Sequence, residues 1–191
     1  MAITWLNIPA MRHWDVASNE KHDVLKHGSV LMRLVAEGYI NGSHLAVPCN
    51  SLSWARHPQL RSILAVYGVD NLNPRQHRKV EDGNKLVKWS TQFCAWLHSH
   101  DGYFSIENPF PSWFWCMPEV RQPWCMKGVI HVLVTFQEYF TPWYKLTGLL
   151  TNLPTGYTLD LLESNVAAKI QLRGHFEWHG QRLMKTSKQY L

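Results

Sequence analysis

No apolar run in this chain of 191 residues approaches the roughly 18 residues needed to cross a bilayer. The longest, Gly128–Thr135 and Leu146–Leu150, are strand-sized, so no transmembrane helix and no membrane partner are expected. Residues 1–9 lack a basic start, a long apolar stretch and a small-residue cleavage site, which argues against a secretory signal. The four cysteines, Cys49, Cys94, Cys116 and Cys125, include no CxxC pair, which excludes a zinc knuckle or a redox dithiol of that type. All four are therefore read as reduced thiols of an intracellular protein, nuclear or cytoplasmic. The histidines show no His-x-Glu-x-x-His or comparable spacing, and no metal is expected. Internal repeats and low-complexity tracts are absent as well, which excludes solenoids and arrays.

The length fits one domain with a core of its own. The net charge of +5 favours a polyanionic partner only weakly, because the basic residues form no long run. Met11–Ala17 reads as a strand ending at an acid. Gly28–Gly38 carries Val30, Leu31, Leu34 and Val35 at the spacing of one helix face. Ser43–Val47 is a buried strand bounded by Gly42 and Pro48. Ala55–Arg78, with Pro58, Gly68 and Pro74, reads as a mobile loop. Asp82–His100 suits a helix with Leu86, Trp89, Phe93, Trp96 and Leu97 on one side. Tyr103–Ile106 and Val129–Phe136 read as further strands. This alternation predicts an α/β fold with a parallel sheet and crossover helices. In such a sheet ligands lie at the carboxyl ends of the strands. Three such ends carry reactive groups: Asp15, Cys49 and Glu107.

The context of these residues carries a resemblance. Ala46–Arg56 reads A-V-P-C-N-S-L-S-W-A-R, and the following strand ends in S-I-E-N-P. Pro-Cys after a strand, then Ser, then Glu-Asn after the next strand, resembles the DNA cytosine-5 methyltransferases. A divergent branch with Pro-Cys-x-x-x-Ser-x-Ala-Arg, Gly-Asn at a helix start and Glu-Asn-Pro is closer, and Gly83-Asn84 fits its pattern. Lys145–Pro154 and Ile170–Gly180 resemble the tail of such proteins, so the likeness runs from about Trp14 to Tyr190. It implies one domain over 1–191 with a Rossmann-like methyltransferase sheet. Residues 1–127 would be core-like and 128–191 would complete the sheet.

The resemblance assigns chemistry residue by residue. Cys49 would add as thiolate to carbon 6 of a flipped cytosine, and carbon 5 would then attack the methyl sulfonium of S-adenosylmethionine. Glu107 would hold ring nitrogen 3 and the amino group, with a carboxyl raised by burial so that it can donate a proton. Pro48, Ser53, Arg56, Asn108 and Pro109 would form the substrate side. Asp15 would accept from the ribose hydroxyls and Asp23 would lie near the adenine. DNA is the implied partner. Arg56, His57, Arg61, Arg75, His77 and Arg78 read either as phosphate contacts or as a solvated basic loop. The tryptophans near Cys116 and Cys125 read as core rather than as stacking platforms.

Departures accompany the likeness. The family opens on a strand and a Phe-x-Gly-x-Gly loop, whereas this chain has no glycine before Gly28. The first strand and the Gly-rich loop are therefore expected to be missing, in a truncated or inactive relative. Asn50 replaces the usual Gln, and the Gln-x-Arg-x-Arg element is not evident. A competing reading is a non-catalytic DNA-binding or interaction module that keeps the fold, such as a mobile-element remnant. A third takes Asn108-Pro109-Phe110-Pro111 as a variant of the Asn-Pro-Pro-Phe motif of amino-group methyltransferases, and leaves Pro48-Cys49 unexplained.

Overall fold

The computed structural model describes residues 11, 14–15, 19–135, 145–154, 176–178 and 181–183. Helix α1 spans Val24–Ala36 and is capped by Asp23, whose carboxylate accepts from the Leu25 amide at 3.0 Å. Leu31 and Val35, one turn apart, bury its inner face. Gly38, at φ 78°, ends it in the left-handed conformation that residues with a side chain disfavour. Strand β1 (Gly42–Ala46) follows.

The long helix α2 covers Pro74–Ser99 and begins eight residues before the expected Asp82. Its start is a capping box: Asn73 Oδ1 accepts from the Gln76 amide at 2.9 Å, and Gln76 Oε1 accepts from the Asn73 amide at 3.0 Å. Pro74 occupies the first turn, where its missing N–H costs nothing. The expected loop over 55–78 is thus corrected at its end, since Pro74–Arg78 is helical. Nor is the remainder open coil, because Leu60 and Arg61 are buried at 2% and 1% exposure.

Strand β2 (Tyr103–Pro109) runs parallel to β1, with Ala46 opposite Glu107. Helix α2 is the crossover between them. A short helix α3 (Pro118–Trp124) precedes β3 (Ile130–Thr135) and β4 (Leu146–Thr151). The strand order is β1-β2-β4-β3, and β4 is antiparallel to both of its neighbours. The sheet is therefore mixed, not all-parallel as expected. The chain between β3 and β4, residues 136–145, is too short for a crossover of a dozen or more residues and suits antiparallel neighbours. Two short strands, β5 (Phe176–Trp178) and β6 (Gln181–Leu183), pair separately.

Of the expected strand over 11–17, Met11, Trp14 and Asp15 have irregular backbone, and the other four positions lie outside the described residues. Phe136 of the expected strand 129–136 lies outside the described residues.

Phe104 and Ile106 alternate onto the helical side of the sheet, where they meet Val87, Phe93, Cys94 and Leu97 of α2 and Leu31 and Val35 of α1. Burial of each large side chain contributes about 1.5–3 kcal/mol. This core fixes the angle between α2 and the two parallel strands, and hence the geometry at their carboxyl ends. No helix among the described residues is long and apolar enough to cross a membrane.

Candidate active site

Beyond β1 the chain makes one tight turn. The amides of Leu52 and Ser53 both donate to the Cys49 carbonyl at 2.9 Å, and Pro48 enters the turn from the exposed side. The Cys49 side chain is left half-buried. Burial pushes its thiol up; a backbone hydrogen bond and the Lys145 charge pull it down, and the Glu107 charge pushes it up again. Cys94 contrasts with it: packed in the core, its thiol is pushed up to about 12 by burial alone.

Glu107 lies inside β2 rather than after it, paired with Ala46 on one side and Leu149 on the other. Strand alternation sends its side chain to the face opposite Ile106 and Asn108. Lys145, immediately before β4, donates from Nζ to Glu107 Oε1 at 2.9 Å. The two side chains are only 9% and 19% exposed. A thiol, a carboxylate and an ammonium thus share the carboxyl ends of two adjoining parallel strands. No motif in the sequence singles out Lys145. It is the only basic residue in Lys145–Pro154, and a lysine flanking a strand ordinarily reads as a solvated end.

Asn108 is completely buried. Its Nδ2 donates to the Val47 carbonyl at 2.9 Å, and its Oδ1 lies 2.7 Å from the Ser112 hydroxyl, which donates to it. It clamps the residue preceding Pro48-Cys49 to the strand that carries Glu107. It presents no amide to a substrate, which removes the geometric basis for the amino-group motif. Ser53 is buried too; its Oγ accepts from the Ala55 amide at 3.2 Å, and its backbone bridges to Ser112. The Pro109 carbonyl accepts from Trp115 Nε1 at 3.1 Å. These three residues position the turn.

Arg61 acts from the other side. Its guanidinium donates five hydrogen bonds: to the Ser51 carbonyl at 2.8 Å and Ser51 Oγ at 3.0 Å, the Val66 carbonyl, Asn84 Oδ1 at 2.7 Å and the Val80 carbonyl at 3.1 Å. All five N–H groups are spent, none on a carboxylate. Burial pulls it down to about 10, still charged at neutral pH. This corrects Arg61 as a phosphate contact, because it is a strut inside the loop. Gly83-Asn84 also acts in mid-helix, not at a helix start. Asn84 binds Arg61, and a Cβ at Gly83 would lie 2.5 Å from Ser51 Oγ. Only glycine allows the Cys49 turn to approach α2 so closely.

Of the acids assigned to the cofactor, Asp23 is committed to capping α1 and lies 3.4 Å from Lys26. Asp15 is exposed. No adenine site is built around Asp23 among the described residues. Arg56 is half-buried, reaching the Asn50 carbonyl at 3.5 Å, and its Nε is buried with no hydrogen-bond partner. No protein-family model, curated protein or solved structure matches this chain.

Proposed function

We propose that this chain is an S-adenosylmethionine-dependent DNA cytosine-5 methyltransferase-like protein with a Rossmann-like sheet, in which Cys49 is the nucleophile and Glu107 the group that holds the base. One observation carries the reading. The thiol and the carboxylate come from residues 58 positions apart, yet share one end of the sheet within the field of one lysine. Open α/β sheets bind ligands at that end. S-adenosylmethionine would supply an electrophilic methyl group, and the resemblance assigns Asp15 to its ribose. The rest falls to the side chains of this chain. Cys49 adds to carbon 6 of the flipped cytosine and the electron pair passes to carbon 5, which becomes nucleophilic; once carbon 5 carries the methyl group, loss of its proton to water would expel the cysteine sulfur. Lys145 favours the thiolate and holds one oxygen of Glu107. The second oxygen is left for the amino group of the base. Asn108 and Arg61 keep the turn from moving when sulfur bonds to carbon.

A second reading, a non-catalytic module of the same fold that binds DNA, is favoured by a different observation. Burial raises the Cys49 thiol, which works against the nucleophilic thiolate. The two readings separate in one experiment. The protein is incubated with S-adenosylmethionine and an oligonucleotide containing 5-fluorocytosine, and then denatured. A covalent adduct, absent from Cys49→Ser, is expected. An adduct that persists in Cys49→Ser removes the nucleophile. Oligonucleotide binding without any adduct leaves the non-catalytic module.

A further inference from the structure

The resemblance asks Glu107 to give a proton to ring nitrogen 3 of the base. In the structure that carboxyl has a buried cation for a partner. Lys145 Nζ donates to Glu107 Oε1 at 2.9 Å, and both side chains are largely buried. An ammonium at that distance favours the ionised carboxylate. A carboxylate has acceptors and no donor. Its second oxygen can accept from the amino group of a cytosine. Ring nitrogen 3 is itself an acceptor, so against it the carboxylate alone has nothing to offer. The proton that Oε1 does touch belongs to Lys145. Lysine suits the part, because a buried ammonium gives up a proton far more readily than a guanidinium does. The pair also stands where the chemistry is placed: Glu107 lies opposite Ala46, the last residue of the strand that leads into Cys49.

We propose that Lys145 is the proton source for the addition step, and that Glu107 relays its proton to ring nitrogen 3. The inference rests on the cytosine chemistry proposed above. As the sulfur of Cys49 bonds to carbon 6, the pair joining carbons 5 and 6 shifts to join carbons 4 and 5. The pair joining carbon 4 to nitrogen 3 comes to rest on that nitrogen, which becomes strongly basic. It takes a proton from Glu107 Oε1, which takes one from Lys145 Nζ. A thiolate and an ammonium are consumed together, so no new charge is created in the buried site. Glu107 ends as the carboxylate it was, and now accepts from both the amino group and nitrogen 3. When carbon 5 has lost its proton to water and the sulfur leaves, nitrogen 3 returns its own proton by the same path. Lys145 is then an ammonium again, and atoms and charges balance.

The charge of Lys145 and its proton are separable. Arginine keeps the charge and can still donate to Glu107, but a guanidinium does not give up a proton. The full chain is mixed with S-adenosylmethionine and an oligonucleotide carrying 5-fluorocytosine. The rate of the denaturation-resistant adduct is then measured in wild type, Lys145→Arg and Lys145→Ala. Lys145→Arg is expected to leave the pH profile of Cys49 alkylation in place and to slow the adduct about 10²–10⁴-fold, the range of general acid catalysis. A residue that only positioned Glu107 by its charge would give no such split. Lys145→Ala is expected to be as slow, and to recover in added methylammonium but not in tetramethylammonium, which brings the same charge without a transferable proton. That recovery decides the matter even if the arginine is too large for the buried site. An adduct rate in Lys145→Arg close to that of wild type would overturn the relay. So would a Lys145→Ala variant that methylammonium fails to restore, or that both ions restore equally. Failure of the relay is separable from failure of the cytosine chemistry. Wild-type protein that forms no adduct removes that chemistry and the relay with it, whereas an adduct that survives Lys145→Arg unchanged removes the relay alone.

Discussion

Replacement of Arg61 by methionine tests whether a cation buried without a carboxylate partner holds the cysteine turn. The side chain is 1% exposed and makes five hydrogen bonds, so truncation removes them all. Bonds to a charged group contribute about 1.5–3 kcal/mol each, or about 7 kcal/mol for five at the low end. Removing the charge also relieves its desolvation. The fall from 12.5 to about 10 corresponds to about 3 kcal/mol. The difference leaves a net loss of about 4 kcal/mol, against a total stability of about 5–15 kcal/mol for a domain of this kind. Arg61→Lys keeps the charge but concentrates its donors on one nitrogen, so it is expected to fall between the two. Urea unfolding followed by both circular dichroism and tryptophan fluorescence measures the change. Alkylation of Cys49 in native buffer adds a local readout, because a loosened turn exposes the sulfur and speeds the reaction. A loss under about 1 kcal/mol in Arg61→Met, with an unchanged m-value and alkylation rate, would refute the assignment of Arg61 as the strut.

Two further outcomes follow from the same geometry. The pH profile of Cys49 alkylation is expected to lie above that of a free thiol, because burial disfavours the thiolate. Lys145→Met moves its midpoint further up by removing the favourable charge, and Glu107→Gln moves it down by removing the unfavourable one. Shifts of the same sign in both variants would dissolve the triad. Gly83→Ala, a change that in an exposed helix gains about 1 kcal/mol, is expected to cost about 1–3 kcal/mol here through overpacking. The incoming methyl would lie 2.5 Å from Ser51 Oγ and 3.1 Å from Arg61 Nη2. Urea unfolding of Gly83→Ala, Ser51→Ala and the pair should show coupling, and a stabilised Gly83→Ala would contradict the close approach.

Apolar runs between turn residues mark strands: Tyr103–Ile106 covers most of β2, and Ser43–Val47 overlaps β1, which is corrected from a buried strand to an edge strand without a fully buried residue. The side-chain spacing around Leu31 and Val35 marked α1. The first two turns of α2 were hidden because Pro74–Lys79 carries charge and no apolar stripe. Their start is marked only by the Asn73-Pro74…Gln76 signature, within a stretch whose proline and polar residues otherwise read as loop. Strand β4 was seen only as a family-like tail, and its insertion between β2 and β3 is a matter of long-range pairing that no local pattern encodes. At the site, Cys49 and Glu107 stood out by their position at strand ends. Lys145 and Arg61 did not, since charged residues are ordinarily exposed and only tertiary contacts reveal the exceptions. An acid ahead of a helix fits a ligand or a cap equally in sequence, and for Asp23 the Leu25 amide is the partner that makes it a cap.

The insertion of β4 also sets an order of assembly on the ribosome. Once Pro109 has emerged, β1 and β2 can pair and bring sulfur and carboxylate together. Lys145 emerges later, after a delay of roughly two to seven seconds at about 5–20 residues per second. During that interval the carboxylate has no counter-charge and β2 offers the nascent polypeptide a bare hydrogen-bonding margin, the kind of template that invites a wrong strand. Sealing the sheet and neutralising Glu107 are then one event, completed when the segment that begins at Lys145 slides into place.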